Sequence, residues 1–286
     1  MATERDLDIV EPEALRVGSL LFDGLDQMDL TGPFEVFSSM SNSTYRLYGS
    51  STAPVRDMHG LVLQADATLA EAPQLDLLHI PGGPGQEALM ENDEVLDWIR
   101  RQAAGARLVF SVCTGALLLG AAGMLMGRRA TTHWASFHLL PLFGAIPVDE
   151  RVVMDDKFVF AAGVTAGIDG ALRVAAALRG DEQAQAIQLW MQYAPEPPFS
   201  AGTPETAPAQ VVAAARAEVK AVTAQREETA RRVAVRLGVT RARLTRRGPR
   251  AAYGREAGSQ SGRLHELHGE VCAPMRVDTM IRRTHG

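Results

Sequence analysis

The chain is poor in cysteine: it has two among 286 residues, Cys113 and Cys272, far apart. That scarcity excludes a disulfide framework and makes a reducing cytoplasm the expected compartment. A metal-ligand cluster is lacking too, because His133 and His138 stand five positions apart with no cysteine beside them. There is no run of eighteen apolar residues, which excludes a membrane-spanning helix. The acidic N-terminus, "MATERDLDIVEPEALRVGSLLF", lacks the basic-then-apolar layout of a signal peptide. Residues 1–14 read as a disordered lead into a first strand. Positive charge is short overall, with a formal net charge of −5, so nucleic acid has no general attraction to the chain and is not expected as a partner. The shortage is uneven: lysine stops at Lys220, whereas arginine recurs from Arg231 to Arg250.

What the chain does have is apolar residues, at 46%, arranged in short runs that alternate with amphipathic segments. "LRVGSLLF" (15–22), "LDLLHIPGG" (75–83) and "RLVFSV" (107–112) read as buried strands. "LTGPFEVFSSM" (30–40) reads as a helix with Pro33 in its first turn. "EVLDWIRRQAAGA", "TGALLLGAAGML", "TAGIDGALRVAAALRG" and "DEQAQAIQLWMQY" read as further helices. "VDERVVMDDKFVFAAG" alternates like a hairpin with "MDDK" at its turn. This order predicts an α/β fold over residues 15–195, a mostly parallel sheet with helices on both faces. Residues 196–237 read as a Pro-rich arm followed by one long charged helix whose "RAEVKAVTAQREETARR" face is solvated. Residues 238–286 read as a disordered basic tail.

In such sheets ligands sit beyond the carboxyl ends of the strands. Three predicted strand ends carry unusual chemistry: Asp29, the pair Gly82–Gly83, and Cys113. A cysteine in the turn between a strand and a helix has its sulfur lifted above the sheet edge. The helix N–H groups there favour thiolate, the nucleophilic form. Thr114 adds a hydroxyl and a backbone N–H beside that sulfur. The plainer reading of Cys113 is a small core residue. Asp29 has two readings as well, a helix N-cap worth about 1 kcal/mol or an acid that shuttles a proton beside the cysteine. Glu35 falls on a water-facing turn. The N–H groups of Gly82 and Gly83 suit an oxyanion hole, or the pair is a plain strand-ending turn.

The segments "DLTGPFEVF", "IPGG", "SVCTGALLLGAAGML", "GRRATTHWA" and "GVTAGIDGAL" together resemble the PfpI-like superfamily of the class I glutamine-amidotransferase-like fold. Within it they are most similar to the isonitrile hydratase branch, and the "YAPEPPFSAGTPETAPA" arm shares that resemblance. The resemblance implies a flavodoxin-like sandwich, a homodimer, and no metal or organic cofactor. It implies a small-molecule isocyanide as substrate, hydrated to an N-substituted formamide. It places the nucleophile on Cys113, its neighbouring hydroxyl on Thr114 and its acid on Asp29. Many relatives carry a histidine directly after the nucleophile. Thr114 stands there instead, which lowers peptidase and glutaminase readings.

Two other readings stay open. A branch of AraC-type transcription regulators carries the same domain, and "ARRVAVRLGVTRARLTRR" (230–247) resembles one weak helix-turn-helix. Only about forty residues follow it, without a second such unit. A sibling activity on carbonyl compounds, hydration or deglycation, would use the same cysteine and acid.

Overall fold

The computed structural model describes residues 13–239. The lead expected over residues 1–14 and the tail expected over 238–286 therefore lie almost wholly outside the described residues, as does Cys272.

Eleven strands occur among the described residues: β1 (Leu15–Leu20), β2 (Ser43–Gly49), β3 (Val55–Arg56), β4 (Val62–Leu63), β5 (Ala67–Thr68), β6 (Leu77–Ile80), β7 (Leu108–Val112), β8 (Arg129–Ala130), β9 (Ile146–Pro147), β10 (Val152–Asp155) and β11 (Phe158–Ala161). Seven of them form one sheet in the order β10-β11-β7-β6-β1-β2-β5. Every pairing in it is parallel except the edge hairpin β10–β11. The predicted hairpin and the mostly parallel sheet are both present. β1, β6 and β7, the strands whose ends carry the candidate residues, are three adjacent central strands, so their carboxyl ends lie side by side.

Side chains alternate across this sheet with period two. Leu77, Phe110, Val112 and Val159 pack on one face against Val36 and Phe37 of α1 (Gln27–Ser38) and Ala171 and Val174 of α5 (Ala166–Arg179). Leu78, Ile80 and Val109 pack on the other. There they meet Val95 and Ile99 of α3 (Asp93–Gly105) and Leu117 and Leu118 of α4 (Gly115–Ala121). The flavodoxin-like sandwich is thus the observed architecture. The short α2 (Gln86–Leu89) precedes α3, and α6 (Asp181–Trp190) follows α5 after Gly180.

Two boundaries differ from expectation. α1 begins at Gln27, not Leu30, because Asp26 caps it by accepting the Met28 N–H at 3.0 Å. Asp29 consequently sits inside the first turn rather than ahead of it, and Pro33 lies within the helix. The long charged helix is two, α7 (Ala209–Glu218) and α8 (Lys220–Arg236), joined at Val219. α8 is not a solvated rod: Arg226, Thr229, Ala230, Val233 and Ala234 are buried, and it packs on the 3-10 helix Trp134–Phe143. The first helix of the helix-turn-helix reading is therefore docked on the body, and its residues from 240 onward lie outside the described ones.

Candidate active site

Cys113 leaves β7 with φ +56, a left-handed conformation that costs a residue with a Cβ about 1–2 kcal/mol. Its neighbours fix the turn: the Cys113 N–H donates to Ala161 O at 3.0 Å, and Thr132 Oγ1 donates to Cys113 O at 2.7 Å. The strain thus sits on the residue whose side chain carries the sulfur. α4 starts two residues later, pressed against the end of β6. A Cβ on Gly115 would lie 2.1 Å from Ile80 O, so only glycine fits.

Asp29 is fully buried. Its Oδ2 accepts the Gly82 N–H at 3.0 Å, while Gly82 O accepts the Asp26 N–H at 2.9 Å. The start of α1 and the end of β6 are therefore clasped in both directions. Asp29 Oδ1 is buried with no hydrogen-bond partner. Burial, with the Asp26 carboxylate adding to it, pushes the Asp29 acid up to about 8, against the pull of the Gly82 N–H and Cys113. Beneath it, on β6, the buried His79 has Nδ1 2.5 Å from Ser19 Oγ, and burial drives it down to about 3. His79 is neutral, so it contributes no charge to the acid above it.

The chemistry of Cys113 differs from expectation. Burial, then the charge of Asp29, push its thiol well above the ordinary value, and the Thr114 N–H and Arg226 pull it back. The strand-to-helix turn does not by itself make a thiolate here, since the sulfur is shut away from water beside an acid. The two groups instead act as a pair. A negative charge on either one holds a proton on the other.

Gly82 and Gly83 line this pair, but their N–H groups are already engaged. Gly82 donates to Asp29 and Gly83 donates to Thr114 Oγ1 at 3.1 Å. They orient the acid and the hydroxyl, and in this arrangement neither N–H is left over for an oxyanion. A Cβ on Gly82 would fall 2.6 Å from the Thr114 nitrogen and 2.9 Å from Asp29 Oδ2.

His133 caps the 3-10 helix, with Nδ1 accepting the Ala135 N–H at 3.4 Å, and burial and Arg226 hold it down to about 4. His138 is at the surface, 3.9 Å from Glu227. Among the described residues no hydrogen bond joins either histidine to Cys113, and no group of three or more His, Cys, Asp or Glu is placed to hold a metal ion. No described helix is long and apolar enough to cross a membrane.

One residue at the site was not anticipated. Arg226 of α8, 5% exposed, donates from Nη2 to Gly83 O at 2.9 Å. The sequence carried only a partial signal: Thr229, Ala230, Val233 and Ala234 follow at the i+3, i+4, i+7 and i+8 positions of the stripe that Arg226 heads, and the structure shows that stripe buried.

A sequence model of the DJ-1/PfpI family matches residues 15–177. An isonitrile hydratase of Pseudomonas putida is 48% identical over 226 residues, covering 79% of this chain and 99% of that protein. A glutathione-independent glyoxalase of Caenorhabditis elegans is 28% identical over 141 residues, 49% of this chain and 75% of that one. The crystal structure of a THiJ/PfpI family protein from Pseudomonas syringae is similar with a TM-score of 0.75 at 36% identity, covering 80% of this chain and 97% of that chain.

Proposed function

The chain belongs to the DJ-1/PfpI family, and from that premise we propose that it is an isonitrile hydratase, a hydro-lyase that adds water to an isocyanide. The observation that carries this reading is the buried Cys113–Asp29 pair, in a chain that matches a protein of that name over nearly its full length. In this reading residues 15–195 are the catalytic body and residues 196–237 close over it. The enzyme is a cytoplasmic homodimer and needs no metal or organic cofactor.

The reactive form carries one negative charge, on Cys113 Sγ, with the proton on Asp29. Sγ attacks the terminal carbon of R–N≡C and a C–S bond forms. Asp29 delivers its proton to that same carbon, giving the thioimidate R–N=CH–S–Cys113. The Asp29 carboxylate then takes one proton from water as the hydroxyl adds to the carbon, and the hydroxyl's remaining proton passes to the nitrogen as the C=O bond forms. The C–S bond breaks, the thiolate departs, and R–NH–CHO leaves. Net, one water is consumed and Asp29 is protonated again. Thr114 steers the water or the substrate, its Oγ1 held by the Gly83 N–H. The low dielectric that keeps Asp29 protonated is the same one that keeps bulk water from the intermediate.

The test mixes purified protein with cyclohexyl isocyanide and follows the N-substituted formamide by chromatography. Wild type forms product; Cys113→Ala and Asp29→Asn do not. A folded Cys113→Ala protein with full activity ends this reading.

A further inference from the structure

Arg226 poses a problem of charge. Its guanidinium is 5% exposed, and a buried cation is expensive unless an anion or a full set of acceptors meets it. Its contacts fall short of that. Nη2 reaches Gly83 O at 2.9 Å, Nη1 reaches Ser136 Oγ at only 3.5 Å, and Nε is buried with no partner. Among the described residues no carboxylate lies within ion-pair distance of it. Glu87, the carboxylate whose charge acts on it, accepts from Thr229 and Gln225.

The Gly83 carbonyl leads from Arg226 to the nucleophile. That oxygen also accepts from Thr114 Oγ1, at the longer distance of 3.3 Å, so Arg226 is its stronger donor. Arg226 and the Thr114 hydroxyl thus share one acceptor. The next residue back along the chain is Cys113.

We propose that Arg226 is a positioning residue for Cys113: it is the cation that balances the thiolate across the Gly83–Thr114 bridge, and it is brought there by α8. The proposal rests on Cys113 being the nucleophile. The groups that face Cys113 fit it. Asp29 and Asp26 oppose a negative sulfur from the α1 side. His133, on the 3-10 helix, is neutral above about 4 and supplies no charge. Arg226, on α8, and the Thr114 N–H are what favour the thiolate. The same cation assists the last step of the reaction, because thiolate is the leaving group there and its charge returns beside Arg226.

The experiment is the pH dependence of alkylation of Cys113 by iodoacetamide in the full chain. It is followed by mass spectrometry of the Cys113 peptide so that Cys272 does not interfere. In Arg226→Gln the midpoint moves up by about one unit, a roughly tenfold slower reaction at any pH below it. In Arg226→Lys, which keeps the charge, it stays near wild type. Formamide production in the Gln variant falls in kcat more than it changes KM. A folded Arg226→Gln protein with an unmoved midpoint overturns the proposal. If the Gln variant does not fold, the Lys variant decides, and a full-unit upward shift in it overturns the proposal equally. Alkylation reads the thiol whether or not isocyanides are turned over, so this inference and the hydratase reading fail separately.

Discussion

Asp29→Asn is expected to make the protein more stable as well as inactive. The carboxyl ionises near 3.8 when free and is raised to about 8 in the fold. Between those values the folded chain holds a proton that the unfolded chain has released, so folding stability falls as pH rises. The benefit of the neutral acid is complete below the unfolded value and gone above the folded one. The slope is about 1.4 kcal/mol per pH unit, which over about three units, from pH 4 to pH 7, sets a ceiling of about 4 kcal/mol. Relaxation and water entry lower that figure, and about 2 kcal/mol at neutral pH is expected. Asparagine mimics the protonated acid in shape, and its amide oxygen accepts the Gly82 N–H as Oδ2 does. Urea unfolding followed by circular dichroism, at intervals from about pH 4 to pH 8, tests this. The two proteins should coincide near pH 4 and diverge with the variant above wild type as pH rises. Parallel profiles would mean that Asp29 ionises in the fold as it does in water, and the argument from burial would be lost.

Two further substitutions probe the turn that carries the sulfur. Gly115→Ala places a Cβ 2.1 Å from a backbone oxygen that cannot move without shifting β6. A loss of about 3 kcal/mol or more in thermal or chemical unfolding is expected, and a loss under 1 kcal/mol would show that α4 is not pressed on the strand as described. Cys113→Gly should be more stable than Cys113→Ala by about 1 kcal/mol, the reverse of the usual order inside regular elements, because the backbone there is left-handed. Equal midpoints in denaturant for these two variants would argue against strain at Cys113.

The sandwich was legible because period-two runs and helical stripes alternate from residue 15 onward and each keeps one character. Cys113, Asp29 and the glycine pair were legible for a related reason: they interrupt that pattern where strands end, a place where core packing does not ask for them. What was hidden depended on contacts distant in sequence. Arg226 meets Gly83 across 143 positions, and an arginine among charged neighbours looks solvated until the helix that carries it is known to dock. The engagement of the Gly82 and Gly83 N–H groups was hidden likewise, because their acceptors come from two other elements. The start of α1 was misplaced because three acidic or amide residues, Asp26, Gln27 and Asp29, compete for the cap, and local chemistry alone does not choose among them.

The docking of α8 against the Gly83 carbonyl also has a consequence for biosynthesis. A chain emerges from the ribosome N-terminal end first, at roughly 5–20 residues per second. The last described strand of the sheet ends at Ala161, and Arg226 follows only after an arm and four helix starts. For several seconds of each synthesis the sheet is complete in sequence while the residue proposed to balance its nucleophile is not yet made. During that interval the cysteine lacks the cation proposed to favour its thiolate, so it is a weaker nucleophile than in the finished protein. The reactive thiolate is therefore expected to be assembled only when α8 docks, after the rest of the site has been made.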